Sequence, residues 1–237
     1  LFKEKKQDSL PLRNYDQITY GAFIQNTAKA TRWLNIESGV RVDYVTNYQP
    51  VVLPRVSLLF KFSPKITSRI GGGLGYKAPT IFTEETERIQ YQNVLPISSA
   101  NILEKSYGAN GDINYRTTLF ENKVTFSINQ LFFYTFLDNP LTLTTTGSGL
   151  YQLVNIDGHI DSKGTETNIK LGYKHFKLFL GYTYTDTKTH IGNAHIKKTL
   201  TPKDRVNAVL MYEVEDKWKV GLEGYYFSPQ LLGDGTT

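Results

Sequence analysis

Apolar and polar residues alternate with a period of two along most of the chain. From Trp33 to Tyr44, one parity carries mainly Leu, Ile, Val and Tyr, and the other carries mainly Asn, Glu, Arg and Asp. Because two residues is the repeat of a β-strand, this alternation predicts a strand. It recurs over 15–27, 55–62, 66–77, 103–115, 123–134, 163–173, 177–187, 204–214 and 217–226. We therefore predict about ten strands of about 9–12 residues, longer than the about 5–6 usual in soluble sheets.

The connections between these segments alternate in length. Short polar links are expected near 29–31, 63–65, 117–122, 174–176 and 215–217. A modest link near 46–50 and longer ones near 78–102, 137–150 and 189–199 lie between them. Successive connections of an up-and-down antiparallel sheet fall at opposite edges. The chain therefore predicts an all-β sheet with a short-turn edge and a long-loop edge.

Aromatic residues on the apolar parity cluster near both ends of the predicted strands, with aliphatic residues and glycine between them. Rings with a polar edge favour the two headgroup levels of a bilayer, and about ten tilted residues span about 25 Å of hydrocarbon. The pattern therefore favours an antiparallel transmembrane β-barrel. The rings near the short links are Phe62, Tyr115, Tyr173, Tyr212 and Trp218; those near the longer connections are Tyr44, Tyr76, Tyr134, Tyr184 and Tyr226.

The polar parity carries charges of both signs, as the lumen side of a membrane barrel does. A soluble all-β binding domain also alternates, with its apolar side turned inwards, and is an alternative at this point. The charged members are Glu37, Arg41, Asp43, Arg55, Lys61, Arg69, Asp112, Glu166, Lys170, Lys219 and Glu223.

Composition narrows the possible functions. The 237 residues include no cysteine, which excludes disulfides and thiolate chemistry. The net charge of +5 is spread along the chain without a block of Lys and Arg, so nucleic acid is not an expected partner. Leu1 and Gly233–Thr237 both fall in apparent loops on the long-loop edge. Termini on that edge are unusual for a complete barrel, so we expect residues 1–237 to form one partial barrel domain.

Short motifs follow one another along the chain. They are YGAFIQ at Tyr20–Gln25 with GVRVD at Gly39–Asp43, LPRVSLLF at Leu53–Phe60, GLGYKAPTIFTEE at Gly73–Glu85, LEKSY at Leu103–Tyr107 and GTE at Gly164–Glu166. As an ordered set, they resemble the C-terminal barrel portion of the TonB-dependent outer-membrane receptors.

This resemblance implies a barrel of about 22 strands, of which the closing strands and an N-terminal plug domain lie outside the chain. It implies a place in the bacterial outer membrane and the energy-dependent uptake of a scarce nutrient, with a ferric siderophore or similar metal chelate as the expected ligand. The expected partners are outer-membrane lipid, the plug and, through the plug, the TonB complex. A passive porin-like or structural barrel is the alternative function.

Basic, aromatic and amide side chains on the long-loop edge and the lumen side are candidates for gripping an anionic or catecholate-like chelate. The lumen arginines could instead pair with neighbouring carboxylates or with the plug. The candidate residues are Lys77, Arg88, Tyr91, Gln92 and Tyr151 on the loop side, and Arg41, Arg55 and Arg69 in the lumen.

Other motifs carry weaker signals. The chain has His159, His175, His190 and His195, and the last two are expected to share one long loop. Their spacing matches no strong metal or haem motif, and 78–104 contains no histidine of the kind that haem receptors carry after a similar YKAP segment. Asp157, His159 and Asp161 alternate as on a lumen face and lack a nucleophile motif. We therefore predict no metal site, no cofactor and no enzyme activity.

Overall fold

The computed structural model describes residue 13 and residues 16–192, 194–197, 199, 201–214 and 217–232. These residues fold almost entirely into β-strands. The strands are β1 (Thr19–Lys29), β2 (Leu34–Val45), β3 (Val51–Lys61), β4 (Ile66–Lys77), β5 (Glu104–Leu119), β6 (Val124–Asp138), β7 (Leu141–Thr145), β8 (Tyr151–Asn155), β9 (Gly158–Tyr173), β10 (Phe176–Ile191), β11 (Ala194–Lys197), β12 (Asp204–Val214) and β13 (Trp218–Phe227), with one short helix, α1 (Glu84–Arg88).

Ten of the strands form one antiparallel up-and-down sheet, in the order β1-β2-β3-β4-β5-β6-β9-β10-β12-β13. The predicted all-β fold with about ten main strands is therefore confirmed. The sheet is open, because β1 and β13 each pair on one side only within the described part of the chain. Strand β11 pairs with the end of β10, and β7 and β8 form a separate hairpin. No described helix is long and apolar enough to cross a bilayer.

The register places the apolar parities of neighbouring strands side by side. Leu58 lies between Ile36 and Ile70, whereas Ser57 lies between Glu37 and Gly71. Since directly paired residues share a face, the sheet has an apolar face and a polar face wherever this alternation continues. We call them the lipid face (with Ile36, Leu58 and Ile70) and the lumen face (with Glu37 and Ser57).

Aromatic rings gather on the lipid face near the short-turn edge, as the sequence predicts. Tyr173, Phe176 and Tyr212 are consecutive partners across β9, β10 and β12. The Phe176 and Tyr212 rings are 4.7 Å apart, and the Tyr212 and Trp218 rings are 5.1 Å apart. The side chains of Tyr173, Phe176 and Trp218 are 44–54 % exposed in the isolated chain, as expected of a belt that faces lipid.

Four central strands run further than the sequence predicts. β5, β6, β9 and β10 have 15 or 16 residues, whereas about 9–11 tilted residues cross a bilayer. The expected long connections at 137–150 and 189–199 were therefore wrong in part. Beyond the membrane both parities are polar, as in the TDTKTH run at 185–190, so the ladder continues although the alternation ends. The result is a wall that extends past the membrane on the long-loop edge.

The β3–β4 ladder is short. Its pairs run from Arg55 opposite Gly73 to Lys61 opposite Thr67, and they stop where Pro54 would be next. Proline has no N–H to donate to a ladder. Above this point the two strands are no longer paired, and a cavity of about 690 Å³ is lined by residues from both, including Leu53 and Leu74.

The buried apolar residues lie mostly in the long loops rather than between sheet layers. Ile81, Val94 and Leu153 form a cluster with less than 4 % exposure each. It joins the connection after β4 to the β7–β8 hairpin. We call the two segments, 78–103 and 139–157, the loop cap.

Candidate functional site

A buried carboxylate organises the long-loop ends of β2 and β4. Asp43 is 1 % exposed and accepts hydrogen bonds from Arg41 Nε at 2.7 Å and from the Tyr76 hydroxyl at 2.9 Å. The sequence predicts that Tyr76 lies on the lipid face with the other aromatic rings near the longer connections, and this prediction was wrong. It reaches the carboxylate because β4 is no longer paired with β3 at this height. Arg41 is therefore held by a lumen carboxylate, one of the two roles the sequence allowed.

Lys77 lies at the foot of the loop cap. Its Nζ is 3.7 Å from Glu104 Oε2, in the directly paired position of β5. Glu104 is 4 % exposed, and its other oxygen accepts the Leu141 backbone N–H at 2.8 Å. The ammonium group itself stays largely exposed, because 58 % of the Lys77 side chain is accessible. A ligand that enters from the loop side can therefore reach this charge.

Arg55 lies on a part of the lumen face where both neighbouring strands carry glycine. Its row continues through Gly39 on one side and Gly73 on the other. A Cβ atom at Gly73 would lie 3.0 Å from Arg55 Cβ, so glycine at this position leaves room for the arginine side chain to extend from the sheet. The guanidinium contacts Glu37, and 60 % of the arginine side chain is exposed.

Arg69 lies closer to the short-turn edge. It pairs with Leu59 of β3 and Asp112 of β5. This pairing is two lumen-face positions nearer the short-turn edge than the pairing of Arg55 with Gly73. Its backbone N–H donates to Asp112 Oδ1 at 3.1 Å. No ion pair of its guanidinium is found among the described residues, so this charge is the most available of the three lumen arginines.

The loop cap begins with a capped helical turn. The Thr83 hydroxyl accepts the Thr86 N–H, and the Thr86 hydroxyl accepts the Thr83 N–H, which is a reciprocal capping box. Arg88 ends α1 and lies 3.8 Å from Glu84, one turn earlier. Both side chains are exposed, and such a pair contributes only a few tenths of a kcal/mol, about 0.3–0.5.

The segment after α1 is attached to the β7–β8 hairpin. Tyr151 donates its N–H to the Asn93 carbonyl and accepts the Leu95 N–H, both at 2.8 Å. The Tyr91 carbonyl accepts a hydrogen bond from Arg13, and the ring of Tyr91 packs edge-on against Phe82. Gln92 is exposed next to it. Tyr91, Gln92 and Tyr151 therefore belong to one folded unit.

Two asparagines close the loop cap, and sequence reasoning missed both. Asn101 donates to the Leu153 carbonyl at 3.0 Å, and Asn155 donates to the carbonyls of Ile102 and Asn139 at 3.1 and 2.8 Å. Asn155 Oδ1 also accepts the Ile102 N–H at 2.9 Å. Nothing in the sequence marks them, because their partners lie between 16 and 53 residues away.

One expected placement is wrong. The alternation of Asp157, His159 and Asp161 was interpreted as a lumen face, but His159 and Asp161 share the parity of Ile169 and Leu171, which is the lipid face. Asp157 precedes β9. The parity was misassigned because the strand begins at residue 158 and not at 163.

The structure thus brings the candidates together in two groups. The loop-cap group is Arg88, Tyr91, Gln92 and Tyr151, with Lys77 at its base. The lumen group is Arg41, Arg55 and Arg69, at three heights of the wall.

Comparison with known proteins decides the family. The model of the TonB dependent receptor-like, beta-barrel family matches residues 6–237. The chain belongs to this family. It is therefore part of a bacterial outer-membrane barrel, and the resemblance inferred from the motifs is confirmed.

Solved structures have the same fold at low sequence identity. The FrpB iron transporter of Neisseria meningitidis is 13 % identical with a TM-score of 0.69, over 93 % of this chain and 35 % of that one. The siderophore receptor PirA of Acinetobacter baumannii is 15 % identical with a TM-score of 0.67, over 92 % and 36 %. The hemophore receptor HasR of Serratia marcescens is 13 % identical with a TM-score of 0.69, over 90 % and 44 %. No curated protein sequence matches significantly. The chain spans about a third of the length of the first of these structures.

Proposed function

We propose that the protein containing this chain is an outer-membrane receptor that takes up a ferric siderophore or a similar metal chelate with energy from the TonB complex. The observation that carries the proposal is the family match over residues 6–237. Structures of the same fold include an iron transporter and siderophore receptors, which supports an iron chelate as the ligand class.

The arrangement of charges supports an anionic ligand. Lys77 and Arg88 are exposed at the loop cap, and Arg55 and Arg69 follow deeper on the lumen face. Their carboxylate partners are at 3.7 and 3.8 Å for Lys77 and Arg88, which is longer than a strong charge-assisted hydrogen bond of about 2.7–2.9 Å. An anionic group can therefore replace Glu84, which is exposed, as the partner of Arg88 at small cost. Tyr91 adds an aromatic surface beside them.

Chelate binding tests the loop-cap candidates. In the full-length protein, we expect Lys77→Ala combined with Arg88→Ala to raise the Kd for a ferric catecholate chelate about tenfold or more. The reason is that a hydrogen bond to a charged group contributes about 1.5–3 kcal/mol. Fluorescence quenching by the chelate measures the Kd. Lys65→Ala combined with Lys123→Ala removes the same charge at the short-turn edge and should leave the Kd unchanged.

Uptake distinguishes the receptor from a passive barrel. Cells producing the full-length protein under iron limitation should accumulate the radiolabelled ferric chelate, and an uncoupler should stop this accumulation. Accumulation that continues unchanged with the uncoupler would favour the passive porin-like alternative and contradict the proposal.

A further inference from the structure

Two imidazoles and a carboxylate meet outside the lumen, on the part of the wall that extends past the membrane. His159 and Asp161 come from β9, and His190 comes from β10. Each offers one ligand atom, and these atoms all lie within 4.8 Å of one another. The three residues share the parity of the lipid face but lie beyond Tyr184, which ends the aromatic belt on β10. They are therefore at the height of the external solution.

The strand register builds this cluster. His159 is the direct partner of His190, and Asp161 is the next residue on the same face of β9. The two imidazole rings are stacked at 4.4 Å with planes 12° apart, and Asp161 Oδ1 contacts His190 Nε2. A Cβ atom at Gly158 would lie 2.1 Å from the His190 carbonyl oxygen, so glycine permits the close approach of the strands here. The backbone of β11 places His195 opposite His190 on its other side.

The surroundings favour a cation at this point. Phe136 stacks on the outer side of His159 at 4.6 Å, and the side chains of Asp161 and His190 are only 15 % and 21 % exposed. The lysine opposite Asp161, Lys188, has its ammonium group 3.3 Å from Asp186. The aspartate is thus directed to the histidines and largely shielded from water, which strengthens its attraction for a cation.

We propose that His159, Asp161 and His190 bind a divalent transition-metal ion of the class represented by Zn²⁺ and Cu²⁺. Imidazole nitrogen and carboxylate oxygen are ligands that these ions accept, and three protein ligands leave a fourth position for water. Because the two rings are nearly parallel, one of them must turn about its Cβ–Cγ bond for both nitrogens to point at one ion. The site is separate from the proposed uptake route, since it lies on the opposite face of the wall.

Bound metal would join β9 to β10 where the ladder leaves the membrane. An ion that binds only the folded state stabilises it in proportion to the logarithm of its concentration. The ion therefore acts as a clamp on the extended wall and on the β11 strand attached to it.

Calorimetric titration tests the site. The full-length protein, stripped with a chelator and kept in detergent, is titrated with ZnCl₂. We expect one binding step that is lost, or weakened at least about tenfold, in Asp161→Asn and in His190→Asn; even residues behind a metal ligand cost about that much when changed. His175→Asn is the matched control, because His175 lies in the turn between β9 and β10 at the short-turn edge and should leave the step unchanged.

A spectroscopic measurement on the unchanged protein supplies a second criterion. With one equivalent of Cu²⁺, the electron paramagnetic resonance spectrum should show coupling to two imidazole nitrogens, and His159→Asn should reduce it to one. The proposal would be overturned if the unchanged protein, Asp161→Asn, His190→Asn and His175→Asn all bound Zn²⁺ equally and if His159→Asn left the nitrogen coupling of Cu²⁺ unchanged. Neither result depends on uptake, so this proposal and the receptor function fail independently.

Discussion

At the scale of single residues, buried polar groups hold the long-loop edge where two strands part. Asp43 depends on Tyr76 for one of its two hydrogen bonds. We expect Tyr76→Phe to lower the free energy of unfolding by about 1.5–3 kcal/mol, because it removes a donor from a buried carboxylate. Urea unfolding of the full-length protein in detergent, followed by tryptophan fluorescence, measures the change. Tyr44→Phe, on an exposed ring of the same height, should cost much less.

Gly164, the first residue of the GTE motif, is required by close packing. A Cβ atom there would lie 2.2 Å from the Tyr184 carbonyl oxygen and 2.5 Å from the Phe133 ring. We expect Gly164→Ala to destabilise the barrel by about 1–3 kcal/mol, the usual range for overpacking. Gly108→Ala is the control, because no atom lies within 4 Å of a Cβ placed at Gly108. Equal midpoints of unfolding for the two variants would contradict this explanation of the motif.

Some residue roles follow from the sequence and others depend on distant contacts. That Arg41 and Arg55 pair with lumen carboxylates could be expected from the charges of both signs on one parity. The bond from Tyr76 to Asp43 could not, because it arises only when β4 is free of β3. Asn101 and Asn155 are similar, since hydrogen bonds to residues 16 to 54 positions away leave no local pattern.

At the scale of elements, alternation predicts the membrane-crossing part of each strand and fails beyond it. The span 217–226 nearly coincides with β13, whereas β9 begins at residue 158 rather than 163. Apolar residues alternate only where one face meets lipid, so a strand in water keeps its ladder and loses its signature. The β7–β8 hairpin did have a signal: Leu141 and Leu143, then Tyr151 and Leu153, flank a Gly-Ser-Gly turn.

The loop cap folds around its own small core, and Leu153 is the largest fully buried side chain of that core. We expect Leu153→Ala to destabilise the cap by about 2–5 kcal/mol through the cavity it leaves. The ten strands of the main sheet should keep their stability, because none of them contributes a residue to this cluster. Hydrogen exchange would therefore rise in 89–97 and stay low in β9 and β10. Ile102→Ala, an exposed residue of the same loop, should change neither. Faster exchange throughout the sheet would show that the cap is not an independent unit.

At the scale of the whole molecule, the two faces of the sheet require different surroundings. Ile70 is 54 % exposed in the isolated chain and lies on the lipid face, whereas Ser57 of the neighbouring strand lies on the lumen face. We expect Ile70→Arg to cost about 2–4 kcal/mol near the bilayer midplane and Ser57→Arg to be tolerated. Folding of the full-length protein into vesicles, measured as a function of urea, distinguishes them. The opposite order would reverse the assignment of the faces.

The early end of the β3–β4 ladder also has a mechanical consequence. A cylinder resists widening through the continuity of hydrogen bonds around its circumference, and that continuity is interrupted above Arg55 and Gly73. Between β3 and β4 the wall is therefore stiff towards the short-turn edge and compliant towards the long-loop edge. Where few backbone bonds hold a region, it opens at low free-energy cost. Among the described strands, an outward force at the long-loop edge would accordingly meet little resistance between β3 and β4, next to Pro54.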